Sequence, residues 1–476
     1  MSALLLCLLL MLAPQPTGSG LLTVLSRPEL KGARVAVVVM DAETGRTLHE
    51  LRPDEPLLPA SNMKLLTTAA AVSGLGADFV FSTSLLAETE PGPDGVLPGD
   101  LIVVGSGDPS LRTDVLEPFG GQGPAALLAE IVAAAGVTDV QGCLRLDDSI
   151  FDREWVHPSW ERDDLGRAYA APVGALSLEG NCLHVVFDAR SRGESPWASL
   201  SAPVSGYALE NEVHWSDKPG RYIVGALRPR VDGTVKLTGH ISRGVIGQPV
   251  AVPVRNATRL FGASLLGALR GRGIRVHGGI CLDGSGGAGE VELGRIETPL
   301  DRALFLANKD SDNTVTEHLF KAIGAQAEGQ GSFASGARAM GHFLRSTVGV
   351  STAGLVLADG SGLSRSNRVS ARALAATLAS MHASPQPERD LFLRSLSVAG
   401  LDGTLTKRLR EAPYRGAVRA KSGYIGGVSS LSGLAWTRSG RVLAFSILIN
   451  GYATKYRNQD MKRIQDDLCR ELVSRW

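Results

Sequence analysis

Aromatic residues make up only 5% of this 476-residue chain, and no long run of one charge sign occurs in it. Lys and Arg number 49 against 48 Asp and Glu, a formal net charge of +1. Nothing in that balance argues for nucleic acid or for a strongly charged partner. The nine histidines include no His-x-x-His and no His-Glu-x-x-His, and none of the five cysteines sits in a Cys-x-x-Cys pair. The common zinc-ligand spacings are missing, so the sequence offers no metal site. No heptad pattern, low-complexity tract or short-period repeat is present, which sets aside coiled coils and solenoids. Beyond residue 20 no apolar run is long enough to span a bilayer.

The one marked apolar run is Ala3-Leu-Leu-Leu-Cys-Leu-Leu-Leu-Met-Leu-Ala13, with small and polar residues following to Gly20. Residues 1–20 read as a secretory signal, although the charged first region is missing; an uncleaved N-terminal anchor is the alternative. Without that segment Cys143, Cys182, Cys281 and Cys469 remain. In an oxidising compartment four cysteines allow three pairings. Cys143, Cys182 and Cys281 share the middle region, so a pair among them is expected.

Three short motifs carry the chemistry. Ser61-Asn-Met-Lys64, Ser311-Asp-Asn313 and Lys421-Ser-Gly423 follow one another along the chain. Each alone is weak: an isolated Ser-x-x-Lys is a helix cap with a solvated lysine, Ser-Asp-Asn a turn, Lys-Ser-Gly a strand end. Together they supply the parts of acyl transfer through a serine. Ser61 is the candidate nucleophile, and a hydroxyl at neutral pH needs an adjacent base. Lys64 lies three residues on, on the same face of a helix. Burial and a second cation, Lys421, would lower its pKa enough for that role. Ser311 can relay a proton to the leaving group, and Asn313 can donate to a substrate carbonyl. Ser422 offers a hydroxyl to a substrate carboxylate, Gly423 leaves room for a substrate backbone, and the N–H groups of Ser61 and Tyr424 would form an oxyanion hole.

The surrounding pattern gives these motifs a frame. Val35–Met40 and Arg46–Leu51 read as strands around an Asp41–Gly45 turn, and Lys64–Gly74 as a helix that starts at Ser61. Some 250 residues then separate Ser61 from Ser311. Within residues 85–294 short β runs recur (Leu101–Val104, Leu144–Leu146, Leu183–Phe187, Tyr222–Leu227), with one helical interruption at Ala257–Gly271. Helices follow at Pro299–Ala307, Thr314–Ala325, Ala334–Val348, Ser370–Ser384 and Lys455–Arg475, and Val442–Asn450 reads as a buried strand. The fold class is therefore α/β: helices on a sheet built from both chain ends, residues 21–84 and 295–476, interrupted by a large β-rich accessory insertion at 85–294.

With those residues the chain resembles the class C low-molecular-mass penicillin-binding proteins, the D-alanyl-D-alanine carboxypeptidase/endopeptidase family. The resemblance runs over nearly all of it: Pro59–Ala70, Gly105–Leu111, Leu146–Asp152, Ala171–Leu178, Asn308–Asn313, Asp359–Arg365 and Ala399–Leu405 are similar to the family's segments. It implies a serine β-lactamase/DD-peptidase-like domain and catalytic roles for Ser61, Lys64, Ser311, Asn313 and Lys421. It also implies substrate contacts at Ser422, Gly423 and Tyr424, no cofactor, peptidoglycan stem peptides as substrates, β-lactams as inhibitors, and export to the periplasm. Two positions depart from the family pattern. Ser422 stands where threonine is usual, which keeps the hydroxyl, and Tyr424 where a small hydroxylated residue is usual, which bears on substrate preference. Asp147 and Asp148 either reach a cationic part of the stem peptide or cap a turn. The competing readings are a β-lactamase or esterase on the same fold, for which no convincing Glu-x-x-x-Asn base is seen, and a catalytically weak wall-binding protein, which the intact motifs oppose.

Overall fold

The computed structural model describes residues 19–476 apart from 117–122, 193–194, 202–203, 205, 221, 227–228, 243–248 and 283–290. Residues 1–18, most of the expected signal segment, lie outside the described residues, as does Leu227.

Both ends of the chain build one six-stranded sheet. Its strands are β1 (Arg34–Asp41), β2 (Thr47–Leu51), β3 (Ser397–Val398), β4 (Val418–Ile425), β5 (Val428–Trp436) and β6 (Val442–Asn450), in the order β3-β4-β5-β6-β1-β2. Every neighbouring pair is antiparallel. The helices that matter here are α1 (Ser19–Leu25), α2 (Met63–Leu75), α3 (Leu300–Asn308), α4 (Asn313–Glu328), α5 (Phe333–Ser346), α6 (Ala371–Ala383) and α7 (Asn458–Arg475).

The unbroken apolar run in β1 follows from burial on both faces. Side chains alternate along a strand, so Val35, Val37 and Val39 join one core while Ala36, Val38 and Met40 join the other. Met461, Ile464, Leu468 and Leu472 form the apolar stripe of α7 in the first core, with Leu21 and Val24 of α1 against it. On the second face α2 is buried all round its first turns, inside a cluster of residues from α3, α4, α5 and α6. A lysine in such a helix has no water to solvate it.

The region between α2 and α3 is β-rich. One sheet runs Ile280–Cys281, Leu144–Asp147, Leu101–Val104, Val80–Ala87, Val291–Pro299, and three smaller three-stranded sheets accompany it. Val80–Ala87 and Val291–Pro299 pair antiparallel from Val80 opposite Pro299 to Ala87 opposite Val291, so the chain leaves and returns side by side. The boundaries at 84/85 and 294/295 fall inside this strand pair. The single helical interruption expected at Ala257–Gly271 needs correction. Pro124–Ala134 is also a helix, opened by a proline where a first-turn N–H is not needed, and Thr113–Leu116 is a short further one. Cys143 and Cys281 are disulfide-bonded with Cα atoms 6.1 Å apart. Cys182 and Cys469 are both buried.

Candidate active site

Ser61 lies in a tight turn, Ala60–Asn62, that runs directly into α2. The turn is stitched to the sheet. Asn62 Nδ2 donates to the Lys421 carbonyl at 2.6 Å and its Oδ1 accepts from Ser432 Oγ at 2.8 Å. Ser430 Oγ donates to the Pro59 carbonyl at 2.7 Å. These bonds set the Ser61 turn against β4 and β5. Gly423 is required by the same approach: a Cβ there would lie 2.3 Å from Ser430 Oγ and 2.9 Å from Ser61 N. The glycine thus makes room for the Ser61 turn, a reason that the sequence reading, room for substrate backbone, did not include.

Lys64 is fully buried one helical turn beyond Ser61. Its Nζ is 3.2 Å from Ser61 Oγ, 2.6 Å from Asn313 Oδ1 and 2.9 Å from the Ser361 carbonyl. Burial brings its pKa down to about 8, against the opposing pull of the Glu317, Asp359 and Asp312 carboxylates. Lys421 is also fully buried; its Nζ donates to Ser311 Oγ at 2.9 Å and to the Ser422 carbonyl at 3.1 Å. Burial, then the charge of Lys64, pushes Lys421 well below the usual lysine range. Ser311 has φ +62°, a left-handed conformation that is strained for a residue with a side chain.

Asn313 opens α4, one residue after the cap Asp312, whose carboxylate accepts from Val315 N at 3.0 Å. The Asn313 amide does not stand open to the cleft. Its Nδ2 donates to the Tyr169 carbonyl of the inserted region at 3.0 Å. Ser422 Oγ donates to Thr404 Oγ1 at 3.0 Å, and Tyr424 is 57% exposed at the rim. Ser61, Ser311, Ser422, Gly423 and Tyr424 line one cleft of about 180 Å³, so the three motifs meet. Asp147 and Asp148 stay away from it. Asp147 caps a turn by accepting from Ser149 N at 3.0 Å, whereas Asp148 is paired with Arg153 at 2.9 Å and accepts from Thr258 Oγ1 at 2.6 Å.

The site also includes residues that motif spacing does not single out. Glu317, fully buried on α4, accepts from Gly360 N and Ser361 N, each at 2.8 Å. Burial and the neighbouring Asp359 push its pKa up. Asp359 in turn accepts from Gly362 N, Ser364 N, Asn367 Nδ2 and Trp160 Nε1. The Asp359-Gly-Ser-Gly turn is thus folded around two acids so that the Ser361 carbonyl faces Lys64. The one available signal for Glu317 is its place four residues after Asn313, on the same helix face.

A profile of the D-Ala-D-Ala carboxypeptidase 3 (S13) family matches residues 19–472. The chain belongs to that family. It is a serine-type D-Ala-D-Ala carboxypeptidase with a penicillin-binding-protein fold. A D-alanyl-D-alanine carboxypeptidase of an Actinomadura species is 36% identical over 445 residues, 90% of this chain and 80% of that protein. The crystal structure of penicillin-binding protein 4 from Haemophilus influenzae superposes with a TM-score of 0.81 at 26% identity, covering 95% of this chain and 99% of that one. The same protein complexed with a β-lactam superposes with a TM-score of 0.76 at 25% identity, covering 96% and 99%. Among the described residues no helix is long and apolar enough to cross a membrane.

Proposed function

We propose that this S13 enzyme cleaves D-Ala-D-Ala termini of peptidoglycan stems through an acyl-enzyme on Ser61. Lys64 takes the Ser61 proton as the oxygen attacks the carbonyl carbon of the penultimate D-Ala. The N–H groups of Ser61 and Tyr424 hold the oxyanion. The Lys421–Ser311 pair passes a proton to the departing amine, so D-Ala leaves neutral at nitrogen. Water then attacks the ester, a proton returns to Ser61, and the shortened stem is released. Asn313 orients the Lys64 amine and exchanges its Tyr169 bond for the substrate carbonyl. Ser422, Gly423 and Tyr424 line the substrate strand. Cleavage of D-Ala cross-links uses the same steps with a longer leaving group.

The observation that carries this reading is the placement of the buried Lys64 amine 3.2 Å from Ser61 Oγ, with the buried Lys421 amine 2.9 Å from Ser311 Oγ. Action on the cell wall requires export, which the apolar N-terminal segment supports. β-Lactams enter as inhibitors because their carbonyl takes the place of the scissile peptide.

The test is labelling with a fluorescent penicillin, with products of muropeptide monomers and cross-linked dimers identified by mass. Wild type is labelled and releases D-Ala from monomers; Ser61→Ala does neither. Equal labelling of both proteins would remove Ser61 from the mechanism.

A further inference from the structure

One wall of the cleft carries a positive group that the chemistry above does not use. Arg408 lies just past the turn Gly403–Leu405 and lines the cleft with Ser61, Ser422 and Tyr424. It is only 7% exposed. Its Nε donates to Asp466 Oδ1 at 2.8 Å, and its Nη2 to the Lys462 carbonyl at 3.2 Å and Gln465 Oε1 at 3.1 Å, all on α7. Its Nη1 is buried and has no hydrogen-bond partner among the described residues. A buried donor without an acceptor is costly and rare in a folded protein, so such a group calls for an explanation.

The neighbours indicate what would satisfy it. Thr404, four residues before Arg408, accepts the Ser422 hydroxyl at 3.0 Å. One short segment therefore carries both the group that orients Ser422 and the guanidinium in the same wall. Lys462 also lines the cleft, so Asp466 does not cancel the positive charge there. A guanidinium presents its donors in a plane that matches a carboxylate. Shielded from bulk water, its attraction for an anion in the cleft is screened less than that of a surface lysine.

We propose that Arg408 supplies the charge of an anion subsite, shared with Ser422 and Thr404, that takes the free terminal carboxylate of the substrate. The subsite selects stems ending in a free D-Ala carboxylate over stems amidated at that carboxyl. This rests on the Ser61 reading, because it places the leaving D-Ala along β4.

The test compares a peptide ending in D-Ala-D-Ala with its C-terminal amide. The enzymes are wild type, Arg408→Gln, and Arg408→Gln combined with Asp466→Asn, which removes the acid that the single change leaves unpaired. Loss of the charge should lower kcat/KM on the acid by roughly 10- to 100-fold, mainly through KM, and on the amide by less than about threefold. Equal losses on acid and amide overturn the subsite, and so does an acid preference in the double variant as large as that of wild type. Amide turnover reports folding within the same experiment. Labelling by a fluorescent penicillin at saturating concentration separates the two readings. Wild type unlabelled at Ser61 removes the nucleophile, whereas variants labelled at Ser61 but with a reduced acid preference establish the role of Arg408.

Discussion

Arg112, in the inserted region, donates to the Asp312 carboxylate at 2.7 Å. Asp312 is the middle residue of the second motif and caps α4, so the insertion grips the loop that carries Ser311. Burial works against the charge of Arg112, but Asp312 and Asp114 outweigh it and raise its pKa further. The Ser311 backbone, at φ +62°, is held in a conformation that needs such external support.

Arg112→Met should therefore slow acylation by penicillin by roughly 3- to 10-fold, as a loosened Ser311 hydroxyl is no longer held in line with Lys421. Arg112→Lys should recover part of the loss. Second-order rate constants of labelling measure both. An unchanged constant in Arg112→Met would mean that α3 and α4 hold the loop unaided.

Acylation should follow the protonation of Lys64. Its pKa is down to about 8, and only the neutral amine accepts the Ser61 proton. The rate should climb about tenfold per pH unit below that value and level off above it, the apparent constant belonging to the Lys64–Lys421 pair. Stopped-flow acylation from pH 6 to 10 checks this, together with Lys64→Ala, which should abolish the reaction. A flat profile would point to a different base.

Glu317→Gln should damage the reaction without touching substrate. Gly360 N and Ser361 N each donate to a separate Glu317 oxygen, and glutamine replaces one of those acceptors with an NH2 donor, so the Ser361 carbonyl drifts from Lys64. Loss of the carboxylate also removes a charge that raises the Lys64 pKa. The acid limb should move to lower pH while the plateau falls at least about tenfold. A purely structural role would lower the plateau and leave the limb in place.

Ser422→Ala should cost about 10- to 100-fold in kcat/KM on a peptide ending in free D-Ala, the worth of a charge-assisted hydrogen bond of roughly 1.5–3 kcal/mol. Ser422→Thr should stay near wild type, since the hydroxyl is kept and a strand tolerates β-branching. The amidated analogue should suffer less. If Ser422→Ala hurts acid and amide equally, the hydroxyl does not read the carboxylate.

Much of this protein was legible in its residues because the signals are local. The Arg34–Leu51 hairpin, the buried strand Val442–Asn450 and the helices on either side of Ser311 follow from periodicity and turn residues within each window. The motifs follow from residue type and spacing. The helix Pro124–Ala134 was not, since a short Ala- and Leu-rich run between glycines has little to separate it from a buried strand.

The sequence by itself determined which groups are available: a serine and lysine one helical turn apart, a hydroxyl and an amide two residues apart, and a lysine on a strand beside a glycine. Only the tertiary structure decided what those groups are. Ser61 faces β4 because Asn62, Ser430 and Ser432 bind its turn to the sheet from across the chain. Lys64 is perturbed because α2 is surrounded by other helices, and because Glu317 and Asp359 fold a distant loop onto it. Arg408 reaches the cleft wall because α7 packs behind β5 and supplies Asp466 and Gln465. A pKa depends on desolvation and on charges within a few ångströms, and those distances arise only once residues hundreds of positions apart have packed together.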